Sequence, residues 1–127
     1  MSARTTILLI DDDARLLKAL ERRLVGEGYH VWTAISASEA GAILEQTSVD
    51  VLVCDNRMPG LSGLDFLGRI KRLYPETKRI ILSGTVGAAQ AFQAMAGYGI
   101  SRVLTKPCEF EELSGAIREV MVESCPV

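Results

Sequence analysis

The stretch Val51-Leu52-Val53-Cys54-Asp55, followed at once by Asn56-Arg57-Met58-Pro59-Gly60, decides the fold. Four apolar residues end on a carboxylate, and a Pro-Gly turn comes after. A short apolar run bounded by turn residues predicts a strand buried on both faces, the kind found in parallel sheets. A carboxylate at the C-terminal end of such a strand stands where open α/β sheets gather their chemistry.

Upstream of this stretch, Thr5 to Ile10 predicts a first strand that stops at Asp11-Asp12-Asp13. Leu16, Leu17, Leu20 and Leu24 then recur at helical spacing, and Gly26 and Gly28 close that helix. Asp13 is expected to cap it. Tyr29 to Ile35 predicts a second strand. Ser36 with Glu39 is a capping-box pattern, opening a helix with Ala40, Ile43 and Leu44 on one face. Asp50 to Asp55 is the third strand.

Downstream, Leu64, Leu67, Ile70 and Leu73 predict a third helix, stopped by Pro75. Arg79 to Ser83 predicts a fourth strand, with Gly84 after it. Ala88, Ala91, Phe92 and Met95 share a face of a fourth helix. Ser101 to Thr105 predicts a fifth strand ending in Lys106-Pro107. The last helix begins near Glu109, carries Glu111 and Glu112 in its first turn, and turns Leu113, Ile117, Val120 and Met121 to the core. Five alternations of strand and helix imply one α/β domain spanning residues 1–127. Its five-stranded parallel sheet is doubly wound, with five helices on its two faces. Of the two common doubly wound orders, 2-1-3-4-5 suits five strands.

At 127 residues and 48% hydrophobic, the chain has enough length and apolar content for one packed domain. A net charge of -2 gives no electrostatic case for nucleic acid, and no apolar run nears the ~20 residues of a membrane span. Three scattered cysteines, without Cys-x-x-Cys spacing, argue for a reducing cytoplasm and against a disulfide framework or zinc site. His30 lies in a strand and reads as a surface residue. Cys54 reads as a small buried neighbour of Asp55. Packing is the default for Trp32 and Tyr98.

The proposed order brings Asp11-Asp12, Asp55, Ser83 and Lys106 to one end of the sheet. Two carboxylates ~6 Å apart repel by roughly 3 kcal/mol at an effective dielectric of about 20. Three carboxylates against one ammonium leave a formal -2, which a divalent cation would cancel. An oxygen-only donor set favours Mg²⁺ or Ca²⁺ over zinc, and Mg²⁺ is the usual ion of phosphate chemistry. A carboxylate is a competent nucleophile toward phosphorus. The expectation is that Asp55 accepts a phosphoryl group, with Lys106 and the cation offsetting charge and the Ser83 hydroxyl bonding a phosphoryl oxygen.

At Ile10-Asp11-Asp12, Asp55-Asn56-Arg57-Met58-Pro59-Gly60, Leu82-Ser83-Gly84 and Thr105-Lys106-Pro107 the sequence resembles the receiver domain of two-component response regulators, from Ile7 to about Val122. The resemblance implies a flavodoxin-like receiver fold and a phosphorelay function. Asp55 is then the phosphoacceptor, with Asp11, Asp12, Asp55 and the backbone carbonyl of Arg57 holding Mg²⁺, or Mn²⁺ in its place. Lys106 pairs with the phosphate, Ser83 is the switch hydroxyl, and Gly84 leaves room beside the phosphoryl group. It further implies a cis Lys106-Pro107 bond.

The partners it implies are a sensor histidine kinase or phosphotransfer domain, an effector domain beyond residue 127 when the receiver is part of a longer regulator, and dimerisation through the fourth helix face. No membrane or direct nucleic acid contact is implied. Such a domain phosphorylates and dephosphorylates itself, with no multiple-turnover substrate. Two positions depart from the family pattern. Val103 stands where Tyr or Phe is usual in the switch, and Cys108 follows Lys-Pro where an aromatic is common.

Three other readings compete. A receiver that has lost phosphorylation would act only by interaction, and Val103 alone favours it. An aspartate-nucleophile phosphatase of the haloacid dehalogenase type wants Asp-x-Asp-x-Thr or Val, and here Arg15 ends that run. A flavin carrier needs a hydroxyl-rich phosphate loop where this chain has three aspartates.

Overall fold

The computed structural model describes residues 4–55, 63–84 and 99–123, with the backbone alone for 63–65, 67 and 123. Five parallel strands, β1 (Thr6–Ile10), β2 (His30–Ala34), β3 (Val51–Asp55), β4 (Lys78–Ser83) and β5 (Arg102–Thr105), form one sheet in the order β2-β1-β3-β4-β5. Among the described residues four helices accompany it: α1 (Ala14–Gly26), α2 (Ala37–Gln46), α3 (Gly63–Leu73) and α4 (Phe110–Glu123). The helix expected over Ala88 to Met95 lies outside the described residues, as do Tyr98 and Ser124 to Val127.

The sheet separates two cores because successive strand side chains point to opposite faces. Ile7, Leu9, Val51, Val53, Ile80 and Leu82 meet Leu17 and Leu24 of α1 and Leu113, Ala116, Ile117 and Val120 of α4. Leu8, Ile10, Leu52, Cys54 and Ile81 meet Ala40 and Leu44 of α2 and Phe66 and Ile70 of α3. Leu24 and Ile117 are wholly buried, each removal from water contributing about 1.5–3 kcal/mol. The central strands β1 and β3 are buried throughout, whereas β2, at the border, alternates.

Local chemistry sets the helix ends. Asp13 Oδ1 accepts from Arg15 N at 3.1 Å and Leu16 N at 3.2 Å, so Asp13 is the N-cap of α1 as its position predicts. Gly28, with φ 97°, ends that helix where a left-handed residue is required. Ser36 Oγ accepts from Glu39 N at 3.1 Å, but Glu39 reaches back to Ile35 N, one residue earlier than an ideal capping box, at 3.1 Å.

Two side chains, and the limits of β2, differ from expectation. Leu73 is 69% exposed, because Phe66 and Ile70, four residues apart, define the buried face of α3 and the last turn rotates Leu73 off it. Trp32 is 39% exposed rather than packed, since β2 borders the sheet; its ring lies 6.0 Å from that of His30, itself exposed as expected. Tyr29 and Ile35 fall just outside β2.

Candidate functional site

Four of the five strands deliver chemistry to the same end of the sheet. Asp11 and Asp12 follow β1 directly, Asp55 ends β3, Ser83 ends β4, and Lys106 follows β5. The register Ile10↔Cys54 sets Asp11 beside Asp55. One carboxylate oxygen from each of Asp11, Asp12 and Asp55 lies within 4.8 Å of the others, tighter than the sequence-based spacing of ~6 Å. Asp11 and Asp55 are buried and Asp12 is exposed, so the cluster opens to solvent on one side.

Asp11 is the most constrained of the three. Its Oδ1 accepts from Asp13 N at 2.9 Å, closing a side-chain turn, and its backbone N–H donates to Ala34 O at 3.1 Å. Its Oδ2 accepts from Lys106 Nζ at 3.0 Å. Lys106 also lies 3.3 Å from Asp55 Oδ1, so one ammonium after β5 bridges the carboxylates at the ends of β1 and β3. Burial is the strongest single influence on the Lys106 proton and favours its loss. The Asp11 hydrogen bond and the charges of Asp11 and Asp55 together outweigh it and raise the lysine above its ordinary value. Lys106 N donates to Ser83 O at 2.9 Å, tying β5's end to β4's, and the Lys106-Pro107 bond is cis.

Ser83 is buried, 2% exposed, one step beyond the Asp55↔Leu82 pair. Among the described residues, a Cβ built on Gly84 meets nothing within 4 Å. Val103 is half-buried against the α2–α3 core. Cys54 is fully buried and its Sγ donates to Asp55 O at 3.3 Å; burial first, then the Asp55 and Asp11 charges, push its thiol far up. It therefore stays protonated and is no nucleophile. Arg57 lies outside the described residues.

An all-oxygen cluster of three carboxylates against one ammonium fits a hard divalent cation. Ligand oxygens about 2.1 Å from a small cation lie about 3 to 4.2 Å apart, a spacing compatible with a cluster whose oxygens lie within 4.8 Å of one another. Two features escaped the sequence reading. Lys106 bonds Asp11 as well as Asp55, which no local pattern signals. An apolar groove of about 440 Å³, lined by Leu16, Leu20, Leu82, Cys108, Phe110 and Leu113 among others, opens beside Lys106. Arg23 stacks over the Phe110 ring at 4.0 Å, near Glu111 at 3.6 Å, joining α1 to α4. The apolar spacing of α1 hinted at the groove, but its other wall comes from ninety residues on.

A family model for the response regulator receiver domain matches residues 7–118. The hydrogenase transcriptional regulatory protein HoxA of Cupriavidus necator is 36% identical over 118 residues, 93% of this chain and 24% of that protein. The transcriptional regulatory protein GlrR of Escherichia coli is 36% identical over 120 residues, 94% of this chain and 27% of that protein. The chain thus spans about a quarter of the length of these curated relatives. A crystal structure of a response regulator receiver domain protein from Clostridium thermocellum superposes with a TM-score of 0.85 at 36% identity, over 94% of this chain and 95% of that one. The chain belongs to the receiver-domain family of two-component response regulators, a family of signalling domains.

Proposed function

We propose that Asp55 is the phosphoacceptor of a phosphorelay, taking its phosphoryl group from a histidine kinase or phosphotransfer domain. The observation that carries this reading is the Lys106 ammonium bridging Asp11 and Asp55 at 3.0 and 3.3 Å beside a third carboxylate. A carboxylate oxygen of Asp55 attacks phosphorus; the new P–O bond forms as the donor's P–N bond breaks, and the electron pair leaves on the imidazole nitrogen. Lys106 then follows the growing charge on the phosphoryl oxygens. Asp11, Asp12, Asp55 and the backbone carbonyl of Arg57 would hold Mg²⁺, with Mn²⁺ able to replace it. When bound, that ion supplies charge neutralisation for the incoming phosphoryl group.

The same reading makes residues 1–127 a single receiver domain in the cytoplasm, phosphorylating and dephosphorylating itself without a multiple-turnover substrate. Ser83 and Gly84 then form the switch. Val103 lacks a ring to bury, so the shift runs through the backbone after Ser83 rather than through an aromatic rotamer. The apolar groove beside Lys106 supports a protein donor that packs there while its phosphohistidine reaches Asp55. The relatives named as transcriptional regulators support an effector domain beyond residue 127. Dimerisation through the face of the helix expected over Ala88 to Met95 is proposed by family likeness alone.

Incubation with Mg²⁺ and acetyl phosphate, followed by intact-mass measurement, tests the central claim. One phosphoryl adduct is expected, absent from Asp55→Asn. A wild-type chain that stays unmodified, or an adduct that survives Asp55→Asn, would overturn it, and continuous turnover of the donor by Asp55→Asn would point to a phosphatase.

A further inference from the structure

Arg79 sits at the end of the sheet opposite the acidic cluster, and the sequence reading gave it no role. It is a charged side chain only 8% exposed. Main-chain oxygens hold its guanidinium: Nε donates to Gly99 O at 2.7 Å, and Nη1 donates to Thr77 O at 2.9 Å and to Tyr74 O at 3.4 Å. Thr77 and Tyr74 belong to the turn between α3 and β4, and Gly99 precedes β5. The main chain of Arg79 adds two further links. Ser101 N donates to Arg79 O at 2.7 Å, and Arg79 N donates to Ser101 Oγ at 3.3 Å. Gly99 has φ 66°, and a Cβ there would lie 2.8 Å from Lys71 Cδ and 3.1 Å from Arg79 Nη2. Only glycine fits this position without strain.

A strand such as β5 needs a clamp of this kind. It has four residues, none fully buried, and among the described residues it pairs on one side only, with β4. Register in a short edge strand is weakly specified by its own burial, and a slip of one residue moves the chain by about 3.3 Å and reverses every side chain. Lys106 follows directly, so such a slip would break its main-chain bond to Ser83 and draw its ammonium away from both carboxylates.

We propose that the Arg79 side chain is a positioning group for the phosphoacceptor site: by tying Gly99 O to the turn before β4, alongside the main-chain bonds to Ser101, it fixes the register of β5, and so delivers Lys106 to Asp11 and Asp55. The activity readout of this claim rests on Asp55 being the phosphoacceptor; its structural readout does not.

The test is a double-mutant cycle on the 127-residue chain, using Arg79→Met, Lys106→Met and both together, with acetyl phosphate and saturating Mg²⁺. Arg79→Met is expected to slow phosphorylation about 10-fold, the lower end for a residue acting through another, and to cause no further slowing in the Lys106→Met background. Hydrogen exchange of the Lys106 amide is expected to accelerate in Arg79→Met while the β1 amides keep their protection. Should Arg79→Met fold poorly, Gly99→Ala loosens the same clamp from its other side and is expected to give the same pattern. The proposal is overturned if a folded clamp variant leaves Lys106 exchange unchanged, or if Arg79→Met slows phosphorylation equally with and without Lys106. Accelerated exchange in Arg79→Met, with a wild-type chain that takes no phosphoryl group, would sustain the clamp and remove the phosphoacceptor reading instead.

Discussion

Lys106 holds the electrostatics of the pocket together, and the pH dependence of that role has a definite sign. Its neighbours raise its proton affinity in the folded chain above the ordinary lysine value of 10.5. A raised folded value contributes stability that is fully present below the unfolded value and is lost as pH rises through the folded one. The difference in urea midpoint between wild type and Lys106→Met should therefore stay constant from neutral pH to about 10.5 and shrink only above it. A difference that vanished near neutrality would mean the ammonium is not held by Asp11 and Asp55. At this scale the sequence was most legible. A carboxylate ending an apolar run, an acidic triplet and a lysine before proline each carry meaning wherever the strand ends fall. The Lys106 bond to Asp11 was not legible, because it depends on side-chain geometry across 95 positions.

Among the elements, chemical punctuation fixed the helix starts, and apolar spacing placed the buried faces of α1 and α4 but not the last turn of α3. Asp13 and Ser36 cap α1 and α2 as their residue types predict. Asp13→Ala should cost about 1 kcal/mol in denaturant unfolding, a cap's usual worth. In α3 the predicted stripe of Leu64, Leu67, Ile70 and Leu73 holds at Ile70, but Leu73 lies in water and Phe66, outside that stripe, is buried. Periodicity gives a face but not the angle at which the helix meets the sheet. Leu73→Ser should thus change stability by no more than about 0.5 kcal/mol, whereas Ile117→Ala, at a wholly buried site of α4, should cost about 2–5 kcal/mol. Equal costs at the two positions in urea titrations would contradict the assignment of buried faces.

Across the whole molecule, the two ends of the sheet have different tasks. One gathers like charges from β1 and β3; the other, through Arg79, Thr77 and Asp50, ties loops to strands. Thr77 Oγ1 donates to Val49 O at 2.7 Å, and Asp50 Oδ2 accepts from Thr6 N at 2.8 Å. Concentrated negative charge predicts that a cation binding only the folded chain raises its melting temperature, by the equivalent of about 2.7 kcal/mol at a hundredfold excess over the dissociation constant. Mg²⁺ should produce that rise, EDTA should reverse it, and Asp12→Ala should abolish most of it; calorimetry with and without the ion decides. The strand order followed from five alternations together with family likeness, and β2's partial exposure followed from its place at the border. The clamp around Arg79 joins segments twenty residues apart through main-chain atoms, for which side-chain patterns hold no signal. The chain's single tryptophan, Trp32, stands on the outermost strand beside His30, away from the strand ends that bear the carboxylates. Its emission therefore watches the rim of the molecule, and a flat fluorescence trace during a metal titration would say nothing about whether the pocket has filled.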